Sequence, residues 1–303
     1  MPRTATVAPA PPELLAAQRP RLWGLAYRLT GSASDADDVV QEALTRFLEH
    51  PPGPDRPAHA WLVRVTVNLA LDAIRDRRRR AYPGPWLPEP VASGDAEQRI
   101  EQVESASYAF LVALEALRPR ERAVLILRDV LGWSAAESAE LLGMREGTAR
   151  VVHLRARRAL ESFQASHPAL DAEQRARHRA VLEKFLAALL TQDVQAVESL
   201  LAESITTTTD AGGEYTALAQ TLAGRSRVAR FYVQAARMRS EGEPRVDIVD
   251  VNVLAAAAIT LGRPVRRQAP HTLLAIDLDG DGRIGAIYSI LAPSKLRTVS
   301  FPA

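Results

Sequence analysis

The chain has 303 residues, 47% hydrophobic and 24% charged, a balance that fits two or three globular domains and excludes collagen-like, coiled-coil or wholly disordered architectures. It has no cysteine, which removes disulfides, thiolate catalysis and cysteine-ligated metals. There is no apolar run of about 18 residues and no signal-like hydrophobic segment between Met1 and Pro12, so a cytoplasmic protein with no membrane association is expected. Thirty-eight basic residues nearly cancel 36 acidic ones. All the basic residues but Lys184 and Lys295 are arginine, the side chain best suited to phosphate and base-edge contacts.

The charges alternate in blocks. Asp35, Asp37, Asp38 and Glu42 are followed by Arg75 and Arg77 to Arg80; Asp95, Glu97, Glu101 and Glu104 are followed by Arg145, Arg150, Arg155, Arg157 and Arg158. A first helix is predicted over Glu13 to Leu29, closed by Gly31 and Ser32. A second starts at Ser34, with Asp37 three residues on as in a capping box, and carries the apolar stripe Ala36, Val39, Val40, Ala43, Leu44, Phe47 and Leu48. Pro51, Pro52, Pro54 and Pro57 make His50 to His59 a rigid loop. The helix that resumes near Ala60 runs to about Arg80, with Arg64, Asn68, Asp72, Arg75 and Arg79 lined up on one polar stripe.

Residues 81–104, with four prolines and two glycines, read as a linker. Trp86 within it calls for something to pack against. Helices follow over Ser105 to Leu117, Pro119 to Val130 and Ser134 to Leu142, the last capped by Ser134 with Glu137 at the third position. A helix-turn-helix needs a small residue where its helices touch, a glycine four residues later, and apolar residues six and nine beyond that. Ala139, Gly143, Ala149 and Val152 fill those slots. The second helix, about Glu146 to Phe163, presents Arg145, Glu146, Thr148, Arg150, His153 and Arg157, a basic face suited to base edges and phosphates.

Residues 13–165 resemble the two helical domains of an extracytoplasmic-function sigma factor, the promoter-reading subunit of bacterial RNA polymerase. The run Ser34-Asp35-Ala36-Asp37-Asp38-Val39-Val40-Gln41-Glu42, Ala60-Trp61-Leu62 leading to Asn68-Leu69-Ala70-Leu71-Asp72, Leu117-Arg118-Pro119-Arg120-Glu121-Arg122, and Arg155-Ala156-Arg157-Arg158 carry the likeness. It implies that Asp35, Asp37, Asp38, Gln41 and Glu42 meet the clamp helices of core polymerase, with the flap as a further contact. It implies too that Trp61, Arg64, Asn68, Asp72, Arg75, Arg77, Arg78 and Arg79 face the melted downstream promoter element, and that the helix-turn-helix reads the upstream one. Val151 and Leu154 depart from the family by placing apolar residues where it has polar ones. Either the helix is rotated or it touches thymine methyls.

The chain continues past the usual family length. Helices over Asp171 to Leu190, Asp193 to Leu201 and Gly224 to Met238, with strands at Ile205 to Thr209, Arg245 to Leu261, Thr272 to Leu278 and Ile284 to Leu291, read as an α+β domain with a curved antiparallel sheet. Asp277, Asp279, Asp281 and Gly282 begin like a calcium loop, but Tyr288 stands where a bidentate Glu is required. A hairpin turn with positive φ at Gly280 and Gly282 is the better account, and no metal site is expected. The domain resembles the cone fold of SnoaL-like (NTF2-like) proteins, and more narrowly the sigma-factor subfamily that carries this fold at its C-terminus. The linker signature is Trp86-Leu87-Pro88-Glu89-Pro90. A D-G-G-G motif survives as Asp210-Ala211-Gly212-Gly213 and an N-P-D-K-L motif as Ala292-Pro293-Ser294-Lys295-Leu296.

The expected architecture is therefore multidomain: two all-α domains, 13–80 and 105–165, joined by the linker 81–104, then an α+β cone-fold domain over 171–303. The expected function is promoter recognition and melting with core polymerase, controlled in cis by the last domain, which the resemblance casts in place of a separate anti-sigma factor. A ligand-sensing DNA-binding regulator that works without polymerase is the alternative, and a small molecule in the C-terminal domain a further possible partner. For a cone-fold enzyme, Asp210, Tyr215, His271 and Asp277 are the candidate acids and bases. None has a recognisable partner, and neither catalysis nor a cofactor is expected.

Overall fold

The computed structural model describes residues 12–53, 57–79, 82–92, 107–166 and 171–303. The acidic stretch Asp95 to Glu104, Arg80, Pro54 and the start of the helix expected at Ser105 lie outside the described residues. The chain divides into two compact units, Met1–Arg80 with Ala113–Leu160, and Ala81–Val112 with Glu161–Ala303.

The first unit is all helical. Helices α1 (Pro12–Thr30), α2 (Ala33–Glu49) and α3 (Ala58–Arg79) enclose a core that includes Leu22, Trp23, Leu29, Val40, Phe47, Leu62, Val67 and Ile74. Gly31, at φ +66°, turns the chain between α1 and α2. The cap of α2 is Ser32 rather than Ser34, its hydroxyl accepting from the Asp35 amide. Two serines two residues apart offer equivalent capping signals, and the glycine turn decides between them. Leu48, expected in the apolar stripe, is 62% exposed, because Ala36, Val40, Ala43 and Phe47 already complete the seam.

Helices α4 (Tyr108–Glu115), α5 (Pro119–Leu125), α6 (Ala135–Leu142) and α7 (Glu146–Ser166) follow. The helix expected over Pro119 to Val130 relaxes to π geometry over Ile126–Val130. The fully buried guanidinium of Arg122 ties α5 to the bundle. Its Nη1 donates to the Leu29 carbonyl at 2.6 Å and to Glu115 Oε1 at 2.5 Å. Arg77, from α3, donates to the Thr30 carbonyl at 2.7 Å, with Asp35 and Glu115 within 4 Å. Two arginines thus satisfy the carbonyls that the end of α1 leaves open. Burial pulls the Arg77 pKa down, while Glu115 and Asp35 oppose the shift.

The second unit holds a six-stranded sheet in the order β2-β1-β6-β5-β4-β3. The strands are β1 (Leu201–Asp210), β2 (Leu222–Ala223), β3 (Pro244–Val251), β4 (Leu254–Leu261), β5 (His271–Leu278) and β6 (Ile284–Ile290). The sheet is mixed rather than antiparallel, because β1 runs parallel to β6. The strand expected over Arg245 to Leu261 is a hairpin, turned at Asn252 (φ +47°) and Val253 (φ +67°) without a glycine. Helices α8 (Ala172–Leu190), α9 (Val194–Leu200) and α10 (Arg225–Ser240) cover one face. There Leu182, Phe185, Val197, Val228 and Tyr232 pack on Ala255, Ala257, Leu274 and Ile276. Because side chains alternate along a strand, Ala256, Ala258, Leu273, Ala275 and Ile290 project from the opposite face, where they are buried against Leu87, Tyr108 and Leu296.

The Arg122 and His178 sites give separate predictions. Arg122→Ala takes the donor from the buried Leu29 carbonyl and leaves the half-buried Glu115 with only the longer Arg77 contact, so the first transition in urea unfolding of the full chain should fall by about 1–3 kcal/mol. His178 is buried, its Nε2–H donating to the Ile276 carbonyl at 3.0 Å, and burial depresses its pKa. The folded chain therefore holds the neutral ring while the unfolded chain takes up a proton, so stability is lost as pH falls below about 6.5. Thermal unfolding from pH 7.5 to 5.5 should show that loss, and His178→Leu should flatten it.

Candidate linker latch and nucleic-acid interfaces

In the second unit the linker lies on the sheet. Leu87, Pro88, Glu89, Pro90 and Val91 are all buried. Asp210, wholly buried at the end of β1, accepts from Tyr82 Oη (2.6 Å), the Leu87 amide (2.8 Å), the Gly212 amide (3.1 Å) and Lys295 Nζ (2.5 Å). Lys295, 6% exposed, also donates to the Leu87 carbonyl and sits 4.0 Å from the Trp86 ring centroid and 4.7 Å from that of Tyr82. A buried ammonium is tolerable only with such company: a carboxylate, a carbonyl and two aromatic faces. Farther along, Tyr108 Oη donates to the Pro88 carbonyl, Thr298 Oγ1 to the Pro90 carbonyl, and the Val91 amide to Asn252 Oδ1. Ala92 bridges to Val251 on the outer strand β3.

The two glycines of the turn after β1 are required by φ, and Gly213 by space as well. A Cβ on Gly213 (φ +80°) would lie 2.8 Å from Pro83 Cγ, and one on Gly212 (φ +58°) would lie 3.4 Å from Tyr82 Oη. Ala211 is not among the residues with positive φ. The motif has therefore lost a glycine where none is needed. Leu296 packs in the same apolar cluster as Leu87. Sequence reasoning found Trp86, Asp210 and Lys295 but missed Tyr82, Pro83, Tyr108, Asn252 and Thr298. Only Tyr82, beside Pro83 and Gly84, carried a local signal.

In the first unit the candidate polar faces are only partly available. Asp37 accepts from Trp23 Nε1 at 2.9 Å and Asp35 lies 3.6 Å from Arg77, so both turn toward neighbouring helices. Asp38, Gln41 and Glu42 remain exposed, with Glu42 paired to Arg46. On α3, Asn68, Asp72, Arg75, Arg78 and Arg79 are exposed. Arg75 bonds Asp72, and Arg64 reaches Glu140 on α6 at 2.7 Å. Arg77, expected in the bare positive end of the helix, is turned inward, and Trp61 packs edge-on against Phe47 at 5.5 Å. Spacing fixes a residue's direction around its helix, and the neighbouring element decides whether that direction meets water.

The helix-turn-helix has the expected geometry. Ser134 and Glu137 form a reciprocal capping box, which holds the Glu137 carboxyl below the usual range. Gly143 ends α6 at φ +62°, while Ala139 and Ala149 are buried where the helices touch. Arg145, just before α7, and Glu146, Thr148 and Arg150 on it are exposed. Glu146 pairs with Arg150, whereas His153 and Arg157 both turn to Asp129, at 2.7 and 3.7 Å.

The candidate acids and bases are not gathered into one site. Asp210 is held by Lys295 and the linker, Tyr215 packs beside Ala211 and Leu291, and His271 and Asp277 stand toward opposite ends of β5. Asp279 Oδ1 accepts from the Asp281 and Arg283 amides, making the Asp-rich loop a hairpin turn, with positive φ at Gly282 and not at Gly280. Among the described residues no cluster of three or more His, Asp or Glu could hold a metal ion, and no helix is long and apolar enough to cross a membrane.

Comparison with known proteins follows the same division. The Sigma-70 region 2 family model matches residues 14–80 and the Sigma-70 region 4 model residues 107–160. The chain is 35% identical over 295 residues to the ECF RNA polymerase sigma factor SigJ of Mycobacterium tuberculosis, covering 92% of this chain and 91% of that protein. It is 34% identical over 214 residues to SigG of the same organism, covering 62% of this chain and 58% of SigG. The crystal structure of M. tuberculosis SigJ superposes with a TM-score of 0.77 at 31% identity, over 96% of this chain and 99% of that one.

Gly213→Ala should undock the linker, since it meets both the positive φ and Pro83. Limited proteolysis of the full chain should then cut between residues 82 and 92 at least tenfold faster than in the wild type, while Ala211→Gly leaves the rate within twofold.

Proposed function

The chain belongs to the extracytoplasmic-function family of RNA polymerase sigma factors, and from that premise we propose that its C-terminal domain controls promoter use by holding the linker. Core polymerase and promoter DNA are the partners, and the cytoplasm is the setting. In this reading Asp38, Gln41 and Glu42 supply the polymerase-facing surface of α2, while Asp35 and Asp37 fix its pose from beneath. Asn68, Asp72, Arg75, Arg78 and Arg79 face the downstream element, with Arg64 joining them once its pair with Glu140 opens. Arg145, Thr148 and Arg150 approach the upstream element.

The observation that carries the regulatory reading is the set of donors on Asp210. Two of the four, Tyr82 Oη and the Leu87 amide, belong to the linker. The residues that join the two promoter-reading regions are therefore bonded into the core of the third domain. A free spacer between two DNA-binding modules has no need of a buried lysine and carboxylate. The domain boundaries that follow are 13–80 and 105–165 for the promoter-reading domains and 171–303 for the regulatory one, with 81–104 shared by function between them.

Run-off transcription with core polymerase on a library of randomised promoters tests both parts. Full-length protein should support initiation from a subset of sequences, and Trp86→Ala, which removes the ring over Lys295, should change the yield at least threefold with unaltered helix content. Absence of any transcript sinks the sigma reading. Equal yields from the two proteins sink the linker reading.

A further inference from the structure

The recognition helix α7 carries an apolar pair on its outermost line. Ala149, Ala156 and Leu160 are at most 1% exposed and mark the seam by which the helix sits on its domain. At roughly 100° per residue, the line opposite that seam passes Gly147, between Val151 and Leu154, and through Arg158. Val151 and Leu154 are 48% and 50% exposed. The seat is the one a helix-turn-helix requires, so the helix is not rotated and these two side chains stand on its outward face. On one flank of the pair the polar residues are engaged: Arg150 with Glu146, and His153 and Arg157 with Asp129.

We propose that Val151 and Leu154 determine promoter specificity by packing on the C5-methyl groups of thymines in the major groove of the upstream element. Thymine is the base that offers an apolar group there, and aliphatic side chains read it by contact. The surroundings favour duplex DNA over an apolar protein partner: Arg155 and Arg158 are both exposed beside the pair, as suits phosphates at the walls of a groove. The inference rests on the promoter-reading role of the helix-turn-helix and adds the base type and the residues that select it.

The test uses full-length protein with core polymerase. Upstream sequences are enriched from randomised duplex DNA, and each thymine of the enriched element is then replaced by deoxyuridine, which deletes the methyl group alone. One or two positions should lose roughly fourfold in affinity each, equivalent to ~0.8 kcal/mol per methyl group withdrawn from apolar contact. In Val151→Ala and Leu154→Ala that sensitivity should vanish at one position each. In Arg155→Ala affinity should drop for thymine and uracil alike, with a shallower salt dependence. An enriched element without a uracil-sensitive thymine overturns the proposal, as does sensitivity that persists in the double Val151→Ala, Leu154→Ala variant. A failure to enrich any upstream sequence overturns instead the promoter-reading role itself.

Discussion

A carboxylate with no access to water must find its hydrogen bonds inside the protein, and Asp210 is such a group. Its side chain gathers a tyrosine hydroxyl, two backbone amides and an ammonium, while its carbonyl accepts the Leu291 and Ala292 amides. One residue therefore joins the end of β1, the double-glycine turn, the exit of β6, the C-terminal lysine and the linker. If the linker departs, two donors leave together and the Asp210–Lys295 pair must be solvated or re-paired. Docking of the linker and order in the C-terminal domain are in this way one equilibrium.

Much of this was legible in the sequence where the signal is local. The Gly143 turn, the Ser134–Glu137 box and the small residues Ala139 and Ala149 stand at fixed offsets and need no knowledge of the rest of the chain. Trp86 betrayed the docked linker because a large ring in a proline-rich stretch needs cover. What escaped depended on distant partners. The parallel pairing of β1 with β6 joins strands some 80 residues apart in sequence. The Asn252–Val253 turn lacks the glycine that usually announces one, and Asn252 is held there by the linker, which accepts its amide at the Val91 carbonyl.

Charge was the least legible property. Arginines at neighbouring positions of α3 have opposite fates, Arg77 capping α1 from inside and Arg78 reaching solvent. Asp35 and Asp37 likewise brace the bundle while Asp38 is free to face outward. The alternating blocks seen along the chain are thus part architecture and part exposed surface, and only the packing of α1, α3 and α5 separates the two. Arg122, sequestered beside Glu115, is the extreme case: a cation in a DNA-binding protein that never meets DNA.

The linker has a second role that follows from where Ala92 and Val91 sit. They meet β3, the outermost strand, at its Val251 end and the turn that follows, while Leu87 covers an apolar sheet face. Unfastening them lengthens the unpaired edge of that strand and bares a greasy patch, the two features by which folded proteins stick to one another. A chain built this way has a ceiling on how much of it can stand open in a crowded cell. Its open form must be brief, scarce or promptly covered.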